Sequence, residues 1–335
     1  MSELNSIALK ILSQGKGILA ADESTATMTK RLDSVNVSST PENRLLFRQT
    51  LFSSSNMTSC IGGVILYDET IKQKTSDTQS ISELIQSKNS VAGIKVDTGA
   101  KTLAGSPKEK ITEGLDGLRD RLKEYYKLGA RFTKWRGVYN IDKDQPSKLS
   151  VHSNAHALAR YSALVQECNM VPIVEPEVLM DGNHSAQDCL IKTSDVISKC
   201  FEELILHKID LTGVILKPNM ILAGSESNEK LSSDEVAKLT LKCLKNSVPT
   251  EVPGIAFLSG GQTEIEATEN LNLINKNNNT KFIMSFSFGR ALQQSALKHW
   301  SKDINDIEGT QKVFNHRAKM NTLAAQGKWS KELEN

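Results

Sequence analysis

The sequence has none of the features of an exported or membrane-spanning protein. No apolar run approaches the ~18 residues that a membrane helix requires, and the opening segment MSELNSIALKILSQGKG lacks the basic start and continuous apolar stretch of a signal peptide. The five cysteines are odd in number, widely spaced and without a CxxC pair, which argues against a disulfide framework or a zinc knuckle. We therefore expect a cytoplasmic protein in a reducing compartment.

An excess of charge of one sign is also missing. The 41 Lys and Arg residues against 39 Asp and Glu residues leave a net charge of +2, so no overall field recruits nucleic acid or an anionic membrane. Any anion must be bound by a local group of side chains. No repeat and no linker-like segment divides the 335 residues, and we expect a single domain over residues 1–335 that ends in a short C-terminal tail.

Eight short β-branched or apolar runs alternate with helix-like segments along the chain. The runs occupy residues 17–22, 60–68, 91–97, 130–136, 171–177, 211–219, 254–261 and 282–290. They begin roughly 28 to 43 residues apart, which is enough for one strand, one helix and a return, so all eight strands can be parallel. This pattern predicts an α/β fold, a TIM (β/α)₈ barrel. A doubly wound sheet is the competitor, but its GxGxxG fingerprint is absent.

The sequence also predicts two particular helices and the positions of two prolines. We expect a helix from Thr112 to Leu128, where apolar residues recur at helical spacing, and another that starts near Gln262, after the glycine loop of residues 259–261. Pro172 and Pro176 fall in the fifth strand, where proline is unwelcome in the interior. We therefore place them at the two ends of that strand.

The predicted carboxyl ends of the strands are unusually polar. They carry Asp22, Lys95, Asp97, Lys134, Arg136, Glu175, Glu177, Lys217, Ser259, Gly260, Gly261, Gly289 and Arg290. Barrel enzymes place their chemistry at these ends, and residues two apart on a strand share a face. Any one of these side chains alone could be an ordinary solvated residue. Polar residues at seven strand ends, six of which carry a charge, indicate one charged site at the mouth of the barrel.

Lys217 follows an apolar run and precedes a proline, which suits a nucleophilic amine held in apolar surroundings. Making a lysine of ordinary pKa neutral at pH 7 costs about 4.6 kcal/mol. A second cation about 4 Å away contributes about 4 kcal/mol at an intermediate dielectric constant, and Lys134 is the candidate. Schiff-base chemistry fits these magnitudes, but a phosphate-binding or salt-bridged lysine fits the local sequence equally well.

Carboxylates near Lys217 could serve as the acid and the base of such chemistry. Glu175 and Glu177 share one strand face, so their protonation equilibria should separate, with one protonated and the other ionised. Asp22 offers a third carboxylate across the barrel. The alternative is that these groups only neutralise the neighbouring lysines and arginines, and spacing alone does not decide between the two.

Two glycine-containing loops predict anion binding. Residues 259–261 lead into a helix, and Gly289 with Arg290 repeats the arrangement after the eighth strand. Backbone N–H groups at such turns bind phosphate, and barrels commonly use the loops after strands seven and eight. Ser24, Arg31 and Lys95 lie on the opposite side of the mouth. Two anion sites that flank one amine indicate a bisphosphate substrate.

Metal chemistry is not expected from the sequence. The only histidine pair at ligand spacing is His152 and His156, four residues apart on a predicted helix. Neither lies at a strand end, and we see no third His or Glu clustered beside them. We interpret both as surface helix residues and expect neither a metal nor an organic cofactor.

Motifs along nearly the whole chain resemble one family, the class I fructose-bisphosphate aldolases. The segments GKGILAADEST, CIGGVIL, GIKVD, KWR, VPIVEPE, LKPNM, FLSGGQ and FGRALQ occur in the order of that family. The resemblance implies reversible aldol cleavage of fructose 1,6-bisphosphate to dihydroxyacetone phosphate and glyceraldehyde 3-phosphate. It also implies a homotetramer with a small sugar phosphate as its partner, and no nucleic acid or membrane.

The resemblance further implies individual roles. Lys217 would form the Schiff base, Glu175 would act as acid and base in its formation, and Asp22 would take the hydroxyl proton. Lys134 would perturb and assist Lys217, while Glu177 and Arg136 complete the charge network. The family's two phosphate regions match Ser259, Gly260, Gly261, Gly289 and Arg290 on one side and Ser24, Arg31 and Lys95 on the other.

Two rival interpretations follow from the same residues. A transaldolase-like transferase would share the lysine chemistry, but it should not match the motifs at all eight strands. A non-catalytic sugar-phosphate-binding or cytoskeletal scaffold on the same barrel would not need its nucleophile. Because every catalytic position is filled, we favour the enzyme.

Overall fold

All eight predicted strands are present, and they close into a parallel barrel in the computed structural model, which describes residues 2–335. In chain order the strands are β1 (Gly17–Ala21), β2 (Ile61–Leu66), β3 (Val91–Lys95), β4 (Gly99–Leu103), β5 (Ser106–Glu113), β6 (Phe132–Tyr139), β7 (Val171–Val178), β8 (Ile215–Leu216), β9 (Gly254–Phe257) and β10 (Ile283–Phe288). The barrel order is β1-β10-β9-β8-β7-β6-β3-β2, and β4 pairs only with β5. The predicted (β/α)₈ fold is confirmed.

Helices surround the barrel and connect its strands. They are α1 (Glu3–Leu12), α2 (Thr25–Asp33), α3 (Pro41–Phe52), α4 (Met57–Cys60), α5 (Asp68–Ile71), α6 (Ile81–Ser87), α7 (Leu118–Lys127), α8 (Lys148–Glu167), α9 (Ala186–Leu206), α10 (Ser233–Ser247), α11 (Glu264–Lys276), α12 (Arg290–Trp300) and α13 (Ile307–Ala325). Within residues 2–335, none of these helices is both long and apolar enough to span a membrane.

Helix α1 closes the amino-terminal end of the barrel. Its buried residues Ala8, Ile11 and Leu12 pack with side chains from the barrel interior, among them Phe132 and Ile173. This small apolar cluster is separate from the larger core between the strands and the outer helices. The barrel is therefore filled with apolar side chains at one end, and only its carboxyl end is free for polar chemistry.

The expected helix from Thr112 to Leu128 was wrong in its first part. Residues 99–113 form an antiparallel hairpin, β4 and β5, and α7 begins only at Leu118. The predicted helix included Gly114 and Gly117, whose φ angles are +124° and +66°. A helix cannot continue through these angles, so the two glycines separate the hairpin from α7.

The fifth and sixth predicted strands, β7 and β8, differ from expectation in the position of a proline and in length, respectively. Pro176 lies inside β7 and not at its end, while Pro172 lies near the start as expected. The Lys217 N–H donates to the Val174 carbonyl at 2.8 Å, so the backbone groups of residues 172, 174 and 176 face β8. Strand β8 has only two residues, far fewer than the expected 211–219, and the missing N–H groups of the prolines interrupt little of this ladder.

Gly62 gives a stability prediction for the closed end of the barrel. A Cβ at this position would lie 1.8 Å from the Ile11 carbonyl oxygen of α1, whereas a Cβ at Gly137 would approach Asn154 only to 3.5 Å. We expect Gly62→Ala to lower the free energy of unfolding by about 3 kcal/mol through overpacking, and Gly137→Ala to change it little. Urea unfolding of both variants tests this, and equal midpoints would contradict it.

Candidate active site

The carboxyl ends of the barrel strands open into a cavity of about 860 Å³. Every residue that the sequence suggested for catalysis or phosphate binding lines it: Asp22, Ser24, Arg31, Lys95, Lys134, Arg136, Glu175, Glu177, Lys217, Ser259, Gly260, Gly261, Gly289 and Arg290. The structure therefore brings together residues that are up to 268 positions apart, from Asp22 to Arg290.

Four charged side chains form the centre of the cavity. Lys134 Nζ lies 2.8 Å from Asp22 Oδ2 and 3.1 Å from Glu175 Oε2. Lys217 Nζ lies 2.9 Å from Glu175 Oε1. The side chains of Lys134, Glu175 and Lys217 are each 5% exposed, and that of Asp22 is 12% exposed. Two positive and two negative charges thus balance in a space that little water reaches, as buried ions require.

Neighbouring strands hold these four groups in place. Lys134 lies in β6 and Glu175 in β7, and Lys217 follows β8 directly, so three adjacent strands supply three of the charges. The backbone of Lys217 is fixed by its hydrogen bond to β7. Asp22 follows β1 on the other side of the barrel. Strand positions give such groups a fixed orientation, which loops do not.

The ionisation of the central pair Asp22 and Lys134 is strongly biased. Burial opposes the charge of Asp22, but Lys134 and Lys217 hold the pKa of this carboxyl well below its ordinary value. Burial also opposes the charge of Lys134, but Asp22 and Glu175 raise the pKa of this amine well above its ordinary value. Both shifts favour the charged forms, so Lys134 is suited to provide the second positive charge beside Lys217.

The two glutamates of β7 are shifted in opposite directions. Burial favours the neutral form of both, but Lys134 and Lys217 lower the pKa of Glu175 below its ordinary value. Burial raises the pKa of Glu177, and although Arg136 lowers it, the nearby charge of Glu175 raises it further. The separation expected from two carboxylates on one strand face is thus present, with Glu175 the more readily ionised group.

A second layer of charge lies nearer to the rim. Arg136 Nε donates to Glu177 Oε2, and Lys95 Nζ lies 3.5 Å from Asp97 Oδ1. The Arg136 side chain is 44% exposed, in contrast to the buried Lys134 on the same strand. Arg136 can therefore meet a ligand from the solvent side of the cavity while Lys134 stays below it.

The loops after β9 and β10 form one candidate anion seat. Gly260 and Gly261 have φ angles of +53° and +83°, a conformation that favours glycine and turns backbone N–H groups toward one side. Helix α12 begins at Arg290, and within the described chain no side chain caps its first turn. Its free N–H groups and the Arg290 guanidinium therefore attract an anion.

The helix expected after residues 259–261 is present and begins two residues beyond Gln262. Helix α11 starts at Glu264, and Thr263 with Glu266 forms a capping box at its start. The N–H groups of Thr263 and Glu266 at this start are therefore already satisfied by side chains. The uncapped start of α12 is the stronger donor in this seat.

A second candidate anion seat lies across the cavity on α2. Ser24 is the N-cap of this helix, and its Oγ accepts from the Thr27 N–H at 3.3 Å. Arg31 is paired with Glu23 through Nη1, but its buried Nε and Nη2 atoms have no hydrogen-bond partner within residues 2–335. Because an unpaired buried donor is costly, these two groups are suited to receive an oxygen ligand. Lys95 lines the same cavity.

A buried ion network that was not predicted from the sequence holds Arg31 in place. Arg48 of α3 is 1% exposed and lies 3.6 Å from Glu23 Oε2, so Glu23 joins two arginines. Arg44 and Arg48 are four residues apart among the buried residues of α3. Arginines at helical spacing on an otherwise apolar face were the signal for a buried ion network.

The interpretation of His152 and His156 also needs a correction. His152 is an exposed residue of α8, as expected, but His156 is partly buried, and a Glu and a further His do lie beside the pair. His152 Nδ1 is 3.4 Å from Glu203 Oε1 and His156 Nδ1 is 3.2 Å from Glu203 Oε2, and the rings of His156 and His207 are 5.1 Å apart. The third group comes from α9, about 47 residues away, which spacing along one helix cannot reveal.

Comparisons with known proteins all point to one family. The family model described as fructose-bisphosphate aldolase class-I matches residues 3–335. A probable fructose-bisphosphate aldolase class 1 of Xanthomonas campestris is 48% identical over 330 residues, 98% of this chain and 99% of that protein. The cytosolic fructose-bisphosphate aldolase 6 of Arabidopsis thaliana is 48% identical, over 97% and 91% of the two chains.

A solved structure is similar over the same length. Fructose-bisphosphate aldolase from Plasmodium falciparum, crystallised in complex with TRAP and a small-molecule inhibitor, superposes with a TM-score of 0.96. The identity is 44%, over 98% of this chain and 95% of that chain. The barrel thus has a close counterpart among solved aldolases.

Fold and site together define a (β/α)₈-barrel protein with a buried centre of lysines and carboxylates. The matches over nearly the whole chain show that it belongs to the class I fructose-bisphosphate aldolase family, a family of glycolytic lyases. They decide against the transaldolase-like alternative.

The Asp22–Lys134 pair gives a prediction for stability against pH. Because the folded state holds the pKa of Asp22 down, this carboxylate stabilises the fold above its unfolded pKa of about 3.9, and the contribution is lost as the pH falls below that value. We expect Asp22→Asn to be less stable than wild type by about 3 kcal/mol at pH 7.

The difference should shrink in acid, and urea unfolding at pH 7 and pH 3 measures it. The exposed Asp33→Asn serves as the control and should behave as wild type at both pH values. A deficit for Asp22→Asn that is equally large at pH 3 would contradict the assignment.

Proposed function

We propose that the chain, acting as a single catalytic unit over residues 1–335, splits fructose 1,6-bisphosphate through an imine between Lys217 and the ketose carbonyl. The observation that carries this proposal is the shared carboxylate of Glu175, 2.9 Å from Lys217 and 3.1 Å from Lys134. A lysine that needs only to bind phosphate would not require a buried carboxylate at this distance.

The first step needs a neutral amine, and the geometry supplies it by one proton transfer. When the proton of Lys217 moves to Glu175 along their 2.9 Å contact, the ion pair becomes an amine beside a carboxylic acid. The amine then attacks the carbonyl carbon, and Glu175 returns its proton to the carbinolamine oxygen, which leaves as water. Lys134 remains charged and opposes reprotonation of Lys217 by electrostatic repulsion.

Carbon–carbon cleavage follows from the imine. The proton of the C4 hydroxyl passes to Asp22, the bond between C3 and C4 breaks, and its electron pair moves into the protonated imine to give an enamine. Glyceraldehyde 3-phosphate leaves as the aldehyde. Protonation of the enamine at C3 and hydrolysis of the imine then release dihydroxyacetone phosphate. The imine itself accepts the electron pair, so the proposed chemistry uses no metal and no organic cofactor.

The order of strands in the barrel favours an assignment of the two phosphate seats. Lys217 follows β8, and the seat built from residues 259–261 and Arg290 follows the next two strands. The 1-phosphate is one carbon from the imine, so we assign it to this nearer seat. The 6-phosphate is four carbons away and would reach the seat of Ser24, Arg31 and Lys95.

The assembly and the compartment are proposed from the resemblance and from the relatives. A homotetramer is implied by the family resemblance alone. A cytoplasmic location is supported by the cytosolic aldolase of Arabidopsis thaliana and by the five cysteines within residues 2–335, which are all free.

The imine mechanism predicts a severe loss on removal of the nucleophile. We expect Lys217→Ala to lower kcat for cleavage of fructose 1,6-bisphosphate by a factor of about 10⁴ or more, because the covalent route is then closed. Lys238→Ala, which removes an exposed lysine of α10, should cleave at the wild-type rate. A coupled assay of aldehyde release measures both, and wild-type activity of Lys217→Ala would contradict the mechanism.

The phosphate assignment predicts a difference between two substrates. Loss of a charge-assisted hydrogen bond costs about 1.5 to 3 kcal/mol, so each arginine should change KM by roughly 10- to 100-fold. We expect Arg290→Ala to raise KM for both fructose 1,6-bisphosphate and fructose 1-phosphate. Arg31→Ala should raise KM only for the bisphosphate. Equal effects of Arg31→Ala on both ketose phosphates would overturn the assignment.

A further inference from the structure

Four side chains of the types that ligate metals lie close together on the outer surface of the barrel, on α8, on α9 and at the C-cap of α9. They are His152, His156, Glu203 and His207, which we call the His–Glu cluster. None of these four residues is among the described residues that line the cavity at the barrel mouth. The proposed cleavage reaction leaves them without a role.

The cluster is built from two pairs of residues at helical spacing. His152 and His156 are four apart on α8, and Glu203 and His207 are four apart at the end of α9. Residues four apart lie on the same side of a helix, and α8 packs directly against α9. Two helix faces therefore direct three imidazoles and one carboxylate toward the same place.

The distances suit a small divalent ion. One ligand atom from each of His156, Glu203 and His207 lies within 4.8 Å of the other two, and His152 Nδ1 lies 3.4 Å from the same carboxylate. In a tetrahedral zinc site the ligand atoms are roughly 3.3 Å apart. The histidines of α8 are 61% and 45% exposed, so their side chains are free to close the remaining distance.

Supporting contacts already orient two of the ligands. His207 Nδ1 lies 2.8 Å from the Glu203 backbone carbonyl, and a proton on Nδ1 leaves Nε2 as the free ligand atom, the usual arrangement behind a metal-bound histidine. The Glu203 side chain is 4% exposed, which holds its carboxylate at the base of the cluster.

A competing cation is also present. Lys199 Nζ lies 3.3 Å from Glu203 Oε1 and 3.2 Å from Glu202 Oε2. A metal ion bound to Glu203 would replace one of these contacts, and Lys199 would keep the other. Removal of Lys199 should therefore strengthen metal binding, which separates a metal site from a simple hydrogen-bonded cluster.

We propose that the His–Glu cluster binds one divalent transition-metal ion of the zinc type and thereby links α8 to α9. Imidazole nitrogen together with carboxylate oxygen is a donor set that Zn²⁺ prefers. The site is distinct from the proposed cleavage chemistry, and its occupation should leave that reaction unchanged.

Zinc binding by the full chain tests the proposal. Competition with a chromophoric chelator at neutral pH should give one Zn²⁺ per chain. His156→Gln and Glu203→Gln should each weaken the affinity by at least about 10-fold, and Lys199→Met should strengthen it. Unchanged circular dichroism and unchanged aldolase activity would show that the variants are folded.

The matched control is His299→Gln, which removes a histidine that pairs with Asp306 at another place on the surface. This variant should bind zinc as wild type does. Absence of zinc binding by wild type would overturn the proposal. Equal loss of affinity in His299→Gln and His156→Gln, or no loss in either, would overturn it as well.

Discussion

The Glu175 carboxylate between Lys134 and Lys217 is the interaction on which the rest of the site depends. It is buried and contacts both amines at about hydrogen-bond distance. Without it, two buried cations would face each other with only Asp22 to balance them, a costly arrangement. With it, one amine can remain charged while the other gives up its proton, and these are the two states that imine formation requires.

The barrel explains how such a centre can be held. Helix α1 and the apolar interior fill one end, and parallel strands deliver their polar termini to the other. Asp22, Lys134, Glu175 and Lys217 come from β1, β6, β7 and β8 or from residues directly after them. Two candidate anion seats flank this centre. One lies at the uncapped start of α12, where the helix dipole favours negative charge, and the other lies on α2, whose last turn carries Arg31.

The barrel and most of its site residues could be predicted because the sequence marks where each strand ends. A short apolar run followed by a charged residue indicates both the strand and the side chain at its mouth, as with Lys217 after residues 215–216. The hairpin of residues 99–113 could not be predicted in this way, because its exposed strands have no continuous apolar face. Its end at Gly114 and Gly117 depends on positive φ angles, which the sequence does not display. The His–Glu cluster was missed because Glu203 meets His156 only through the packing of two helices.

Borohydride trapping tests the central claim most directly. Wild-type protein is incubated with fructose 1,6-bisphosphate, the imine is reduced, and the modified peptide is identified by mass spectrometry, with Lys217→Ala as the control. The account predicts a covalent adduct on Lys217 that the control lacks. Cleavage of the sugar by wild type without an adduct on Lys217 would contradict it, and absence of both cleavage and adduct would favour the non-catalytic scaffold.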